Sequence, residues 1–163
     1  MQGSSSGGGI KLTIPFGRTY NYNDIAVARV VDGDTVELAS GQRVRLIGID
    51  TPEIHESRKL YSDSKRLKMD TAAIQALGRR AYNFTRNLVE GKSVRLEFDV
   101  ERYDKYGRLL AYVYLKDGTF VNAEILSEGY ASLMTIPPNV KYADLFLKSY
   151  QEARLNNKGL WKQ

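Results

Sequence analysis

Two separated segments concentrate carboxylates and arginines. The first comprises Asp32-Gly33-Asp34-Thr35 and, a few residues on, Arg45-Leu46-Ile47-Gly48-Ile49-Asp50-Thr51-Pro52-Glu53. The second is Asp104-Lys105-Tyr106-Gly107-Arg108. The side chains of Asp34 and Asp50, with the Thr51 carbonyl, offer the oxygen ligands that calcium or magnesium prefers. Arg45 and Arg108 offer planar guanidinium forks that match two phosphate oxygens at once. Glu53, just beyond Pro52, can accept a proton from water or ligate a metal through one. Hard cation, arginine fork and carboxylate base are what phosphoryl transfer needs, because that chemistry is mostly positioning plus neutralisation of charge. Each signal alone has a plainer reading. Asp32-Gly33-Asp34 suits a hairpin turn, Arg45 a structural ion pair, Arg108 a solvated turn and Glu53 an ordinary surface position.

Those residues converge only if the elements around them fold suitably. A β-like pattern runs over Ile25 to Val31, Thr35 to Leu38 and Arg43 to Ile49. Asp32-Gly33 and Ser40-Gly41 supply the turns between these segments. A second turn centred near Gly41 puts Asp34 opposite Gly48, with Asp50 following at the same end. Leu46, Ile47 and Ile49 are apolar on both faces, which fits a strand bent into a closed barrel. The polar stretch Ile54 to Met69 reads as a mobile loop. Its Arg58, Lys59, Lys65, Arg66 and Lys68 either embrace a nucleic-acid backbone or are simply solvated.

Asp70 or Thr71 then caps a helix with Ile74, Leu77, Ala81, Phe84 and Leu88 on its apolar face, ended by Gly91. Strands follow at Ser93 to Asp99 and Leu109 to Leu115, where Tyr112 and Tyr114 read as packing residues. A short helix starts near Val121. A last one runs from about Lys141 to Asn157, directing Tyr142, Leu145, Phe146, Tyr150 and Ala153 inward. The expected fold class is α+β, mainly β: a five-stranded Greek-key barrel of the OB type with three helices. An open α+β sheet is the alternative.

Bulk properties bound the possibilities. The chain has 163 residues, a formal net charge of +5, no cysteine and one histidine. Disulfides, thiol nucleophiles and multi-histidine metal sites are therefore excluded, and the positive balance favours a polyanionic partner. No apolar run reaches membrane-spanning length, and no membrane partner is expected. Residues 1–24 are expected to form a flexible N-terminal arm ahead of a domain at 25–163. The opening Met1 to Gly9, rich in Gly and Ser, reads as a linker rather than a signal peptide.

The order and spacing of Asp32-Gly33-Asp34-Thr35, Arg45 to Glu53 and Asp104 to Arg108 resemble the motif set of the staphylococcal nuclease (thermonuclease) family. The resemblance runs from about Ile25 to the closing Asn157-Lys158-Gly159-Leu160-Trp161. It implies calcium-dependent, sugar-nonspecific endonuclease action on DNA and RNA, leaving 3′-phosphate products. Carried over by motif position, Asp34, Asp50 and the Thr51 carbonyl hold Ca2+. Glu53 handles the attacking water, and Arg45 and Arg108 clamp the scissile phosphate. Lys105 and Tyr106 contact an adjacent phosphate, while Asp104 shapes their loop.

The resemblance departs at Ser132 to Asn139, where the family often carries two tyrosines near the bound nucleotide. Tyr142 is the candidate to reach in instead. His55 is left out of the mechanism. The competing reading is a binding module of the same fold that has lost catalysis, although none of the five site acids and arginines is missing. A secreted bacterial enzyme is expected, with its signal peptide absent from this sequence, acting as a monomer without an obligate protein partner.

Overall fold

Five strands close into a barrel in the computed structural model, which describes residues 11–13 and 19–162. The linker-like Met1 to Gly9 lies outside the described residues. Two short strands come first: β1 (Lys11–Thr13) pairs antiparallel with β2 (Thr19–Asn21). The barrel is built from β3 (Ile25–Asp32), β4 (Thr35–Leu38), β5 (Arg43–Leu46), β7 (Ser93–Glu97) and β8 (Leu109–Leu115). Its strands run in the order β3-β4-β5-β8-β7, and β7 pairs back onto β3. The β5–β8 pairing is parallel, with Val44 beside Leu109, while the others are antiparallel. Closure leaves the barrel itself no open sheet edge to protect. The expected OB-type α+β fold is thus the observed one. Tyr22, expected in a loosely attached arm, is fully buried and donates its hydroxyl to Gln42.

The segment Arg43 to Ile49 is not one bent strand. It breaks at Ile47, and β6 (Gly48–Asp50) leaves the barrel to pair with β9 (Ser132–Met134). Two local features impose the break. Gly48 adopts φ +88°, and its missing Cβ leaves room for the Phe146 ring. The fully buried Asn122 donates to the Ile47 carbonyl at 2.8 Å and accepts from Val113 N at 2.9 Å. It thereby satisfies backbone groups that the broken ladder leaves unpaired. The register also differs from expectation. Glu37 pairs with Arg43, and Leu46 N donates to the Asp34 carbonyl, so Asp34 faces Leu46 rather than Gly48. The turn is centred on Ser40, one residue earlier than Gly41. It is the break at Ile47 that returns Asp50 to the neighbourhood of Asp34.

Four α-helices stand among the described residues where three were expected. The additional one, α1 (Arg58–Leu67), lies within the stretch read as a mobile loop. Ser57 caps it by accepting from Leu60 N, and Leu60 anchors it in the interior. Its buried face otherwise consists of polar residues, above all Asp63, so apolar periodicity could not register it. Helix α2 (Thr71–Val89) is capped by Asp70 and buries Ile74 and Ala81 as expected. Helices α3 (Val121–Ser127) and α4 (Ala143–Leu155) pack together, and a 3-10 turn at Gly159–Trp161 closes the chain. Within α4, Phe146 and Ala153 are buried, but Leu145 faces solvent, contrary to expectation.

Helix α2 carries one glycine that matters for the site. A Cβ on Gly78 would lie 2.7 Å from the Pro52 carbonyl oxygen and 3.1 Å from the Glu53 carbonyl carbon. Gly78→Ala gains up to about 1 kcal/mol of helix propensity. Overpacking against backbone costs about 1–3 kcal/mol, so the clash is expected to win. The variant should melt a few degrees lower as the Thr51–Glu53 segment shifts. A melting temperature at or above that of the parent protein would show that this segment yields freely.

Candidate active site

A cleft of about 720 Å³ opens at the end of the barrel where β3 turns into β4 and β6 ends. Asp34, Arg45, Asp50, Thr51, Glu53 and Arg108 all line it. Lys105, Tyr106 and Asp104 line it too, from the loop that precedes β8. All nine residues singled out from the sequence therefore share one cavity.

Asp34 is held rigidly. Its Oδ2 accepts from Thr51 N at 3.0 Å and Thr51 Oγ1 at 3.1 Å, and its Oδ1 accepts from Thr35 Oγ1 at 3.0 Å. Behind it, Thr85 of α2 donates to the Gly33 carbonyl at 2.7 Å, tying the turn to the helix. Burial pulls the Asp34 pKa up, but the Arg45 guanidinium, the bonds from Thr51 and Thr35, and Lys59 outweigh it, leaving the pKa lowered. Asp50 shifts the other way. Burial raises its pKa, with Asp34 and Asp63 adding repulsion that Lys59 and Arg45 only partly offset. Asp32, half-buried beside Asp34 and Glu53, is also raised, mainly by burial.

Arg45 bridges the two central carboxylates, its Nη2 lying 3.5 Å from Asp34 Oδ2 and 3.5 Å from Asp50 Oδ1. Its Nη1 donates to the Leu46 and Ile49 carbonyls at 2.9 and 2.8 Å. The guanidinium thus spans the break between β5 and β6 while facing the cleft. Arg108 donates through Nε to Asp104 Oδ2 at 2.7 Å. Asp104 Oδ1 accepts from the backbone N–H groups of Tyr106 and Arg108, so this carboxylate shapes the loop and aims the arginine. Tyr106 is 72% exposed, and its ring lies beneath both Lys105 and Arg108.

Glu53 is half-buried, and its Oε1 accepts from Ile54 N at 2.8 Å and His55 N at 3.0 Å. Its own N–H donates to Asp63 Oδ2 at 3.1 Å. One ligand atom from each of Asp32, Glu53 and exposed His55 lies within 4.8 Å of the others. His55, set aside on sequence grounds, is therefore a close neighbour of Glu53.

Three residues went unrecognised in the sequence as parts of this site. Lys59, Asp63 and Arg66 project from α1 onto the acidic cluster. Lys59 Nζ lies 2.8 Å from the Thr51 carbonyl, 2.8 Å from Asp63 Oδ2 and 3.5 Å from Asp50 Oδ1. Arg66 bonds Asp63 Oδ1 at 3.0 Å and Ser132 Oγ at 3.1 Å, and approaches Asp50 Oδ2 to 3.9 Å. Of the five basic residues read as a backbone clamp or a solvated set, Lys59 turns inward and Arg66, though exposed, reaches Asp63 and Ser132, while Arg58, Lys65 and Lys68 are exposed. The i, i+4, i+7 spacing of Lys59, Asp63 and Arg66 was the available signal, visible only once a helix is granted. Tyr142 does not reach the cleft. It packs on Tyr112, Phe120 and Phe146, and its hydroxyl donates to Glu97 at 2.7 Å. The exposed aromatic surface at the cleft comes from Tyr103 and Tyr106.

The donor set fits a hard divalent cation. Two carboxylates and a main-chain carbonyl converge, and a primary ammonium, the Lys59 head, already sits among Asp50, Asp63 and the Thr51 oxygen. The five carboxylates of Asp32, Asp34, Asp50, Glu53 and Asp63 outnumber the three cationic side chains Arg45, Lys59 and Arg66, leaving negative charge to attract a cation.

Comparison with known proteins agrees with this architecture. The profile of the staphylococcal nuclease homologue family matches residues 43–163. The thermonuclease of Staphylococcus intermedius is 40% identical over 140 residues, which cover 84% of this chain and 75% of that protein. That of Staphylococcus hyicus is 34% identical over 144 residues, 86% of this chain and 77% of the relative. The SPbeta prophage-derived endonuclease YokF of Bacillus subtilis is 37% identical over 145 residues, 86% of this chain but 44% of its own length. With the barrel, the cleft and these matches in agreement, the chain belongs to the staphylococcal nuclease family.

Proposed function

We propose that this phosphodiester-hydrolysing nuclease is a calcium-dependent, sugar-nonspecific endonuclease that cleaves DNA and RNA to 3′-phosphate products. The observation that carries the reading is the convergence of Arg45, Arg108, Glu53 and the Asp34–Asp50–Thr51 oxygen set on one cleft. Asp34, Asp50 and the Thr51 carbonyl would hold Ca2+. When bound, the ion supplies a hard positive charge that helps neutralise the phosphate.

The protein's own groups do the rest. Arg45 and Arg108 grip the non-bridging oxygens of the scissile phosphate, whose charge grows as a fifth oxygen approaches phosphorus. Glu53 accepts a proton from the attacking water as its oxygen bonds to phosphorus. The bond from phosphorus to O5′ breaks, and O5′ leaves as a hydroxyl after taking a proton from solvent. Lys105 and Tyr106 steady the neighbouring phosphate. The net charge of +5 aids encounter with a polyanion.

Millimolar calcium is an extracellular condition, which favours a secreted bacterial enzyme, and one cleft built from one chain is consistent with action as a monomer. Among the described residues, no helix is long and apolar enough to cross a membrane.

Digestion of plasmid, heat-denatured DNA and RNA with calcium, with and without chelator, tests the reading. Cleavage should require calcium and leave 5′-hydroxyl ends that a polynucleotide kinase labels directly. No cleavage at any calcium concentration up to millimolar would sink the proposal.

A further inference from the structure

Helix α1 delivers a cation of its own into the acidic cluster. Lys59 Nζ contacts the Thr51 carbonyl at 2.8 Å and Asp50 Oδ1 at 3.5 Å, two of the three groups assigned above to calcium. Its third contact, Asp63 Oδ2 at 2.8 Å, belongs to a carboxylate whose side chain is only 4% exposed. A surface ion pair has no need of a main-chain carbonyl. Two carboxylates plus a carbonyl form a cation-binding set, and the ammonium occupies it.

We propose that Lys59 is a tethered competitor for the calcium position, so that helix α1 sets the calcium concentration at which the site loads. This rests on the calcium reading of the preceding subsection. The Lys59 head and a divalent ion cannot both take the Thr51 carbonyl and Asp50 at close range without strong mutual repulsion. Loading therefore requires the ammonium to leave. Its flexible four-carbon stem allows that without unfolding the helix, which remains anchored by Leu60 and capped by Ser57. Arg66 is a poorer competitor, since it is 3.9 Å from Asp50 and makes no hydrogen bond to Thr51. At low calcium Lys59 offsets part of the cluster's negative charge from within. At high calcium Lys59 swings out and adds positive charge to the rim of the cleft.

The test is calorimetric titration of the whole chain with calcium chloride in the absence of nucleic acid, comparing the parent protein with Lys59→Met and Lys59→Arg. Lys59→Met keeps most of the stem's bulk and removes the competing charge, and it should bind calcium at least tenfold more tightly. Lys59→Arg keeps the charge and should retain the weaker affinity. Thermal melts give a second readout: without calcium Lys59→Met melts lower, because Asp50 and Asp63 lose their counterion. Saturating calcium should then raise its melting temperature more than that of the parent protein. Equal or weaker calcium affinity in Lys59→Met overturns the proposal and makes Lys59 a structural or substrate contact. Cleavage assays on the same samples separate the two claims. Equal affinities in proteins that still cleave with calcium remove only the role of Lys59. Absence of cleavage in all of them removes the calcium-dependent endonuclease reading, and absence of calcium binding in all of them overturns both.

Discussion

Replacing Glu53 by Gln is expected to lower turnover on DNA by roughly 10²- to 10⁴-fold, the range for removing a positioned general base. The substitution is nearly isosteric. The amide oxygen can still accept from Ile54 N and His55 N, the two bonds that Glu53 Oε1 makes. The backbone bond from Glu53 N to Asp63 is untouched. What disappears is a negative charge able to take a proton from water. The loss should therefore appear in kcat, with affinity for an unreactive nucleotide changing only a few-fold. Single-turnover kinetics alongside equilibrium binding provide the measurement. Comparable losses in both would mean that Glu53 holds the cleft together instead of handling the nucleophile.

Arg45→Lys should cost about 10²-fold or more in rate, by analogy with losing one preorganised donor to a developing oxyanion. A lysine keeps the charge but not the fork. The structure gives Arg45 a second task, because Nη1 donates to the carbonyls of Leu46 and Ile49 on either side of the strand break. Leaving one such buried acceptor unpaired costs about 1–3 kcal/mol. For a chain of this size that corresponds to about 2–4 °C of melting temperature per kcal/mol. The two tasks separate experimentally. A rate loss measured well below both melting temperatures belongs to the phosphate, and the drop in melting temperature belongs to the carbonyls. Near-normal turnover in a less stable variant would make Arg45 a structural ion-pair residue.

The candidate site was legible where its residues are local motifs, which the fold brings to one cleft. Asp104, Tyr106, Gly107 and Arg108 form a turn whose hydrogen bonds close within five residues, so its sequence encodes its shape. Asp34 beside Thr35 and Asp50 beside Thr51 are likewise short-range signals. The β4–β5 register differs from expectation by two residues because a turn centred on Ser40 and one centred on Gly41 use the same residue types. Convergence survived that error through Gly48 and the buried Asn122, which break the strand and turn Asp50 back.

Helix α1 was the least legible element. Leu60 and Leu67 are its only large aliphatic residues, and the face it presents to the site is Lys59, Asp63 and Arg66. Hydrophobic periodicity detects faces that leave water for an apolar core. This face packs its one buried residue, Asp63, between Lys59 and Arg66 and turns those cations toward Asp50 and the Thr51 carbonyl, partners that lie outside the helix.

The chain by itself thus determined which chemical groups are available, and in what order, because turns, caps and alternating strands are short-range physics. Only the tertiary structure decided which of them touch. The strand break, the buried Asn122 and the docking of α1 act between residues dozens of positions apart. Whether a lysine is a solvated charge or the occupant of a carboxylate pocket depends on neighbours that the local sequence does not contain.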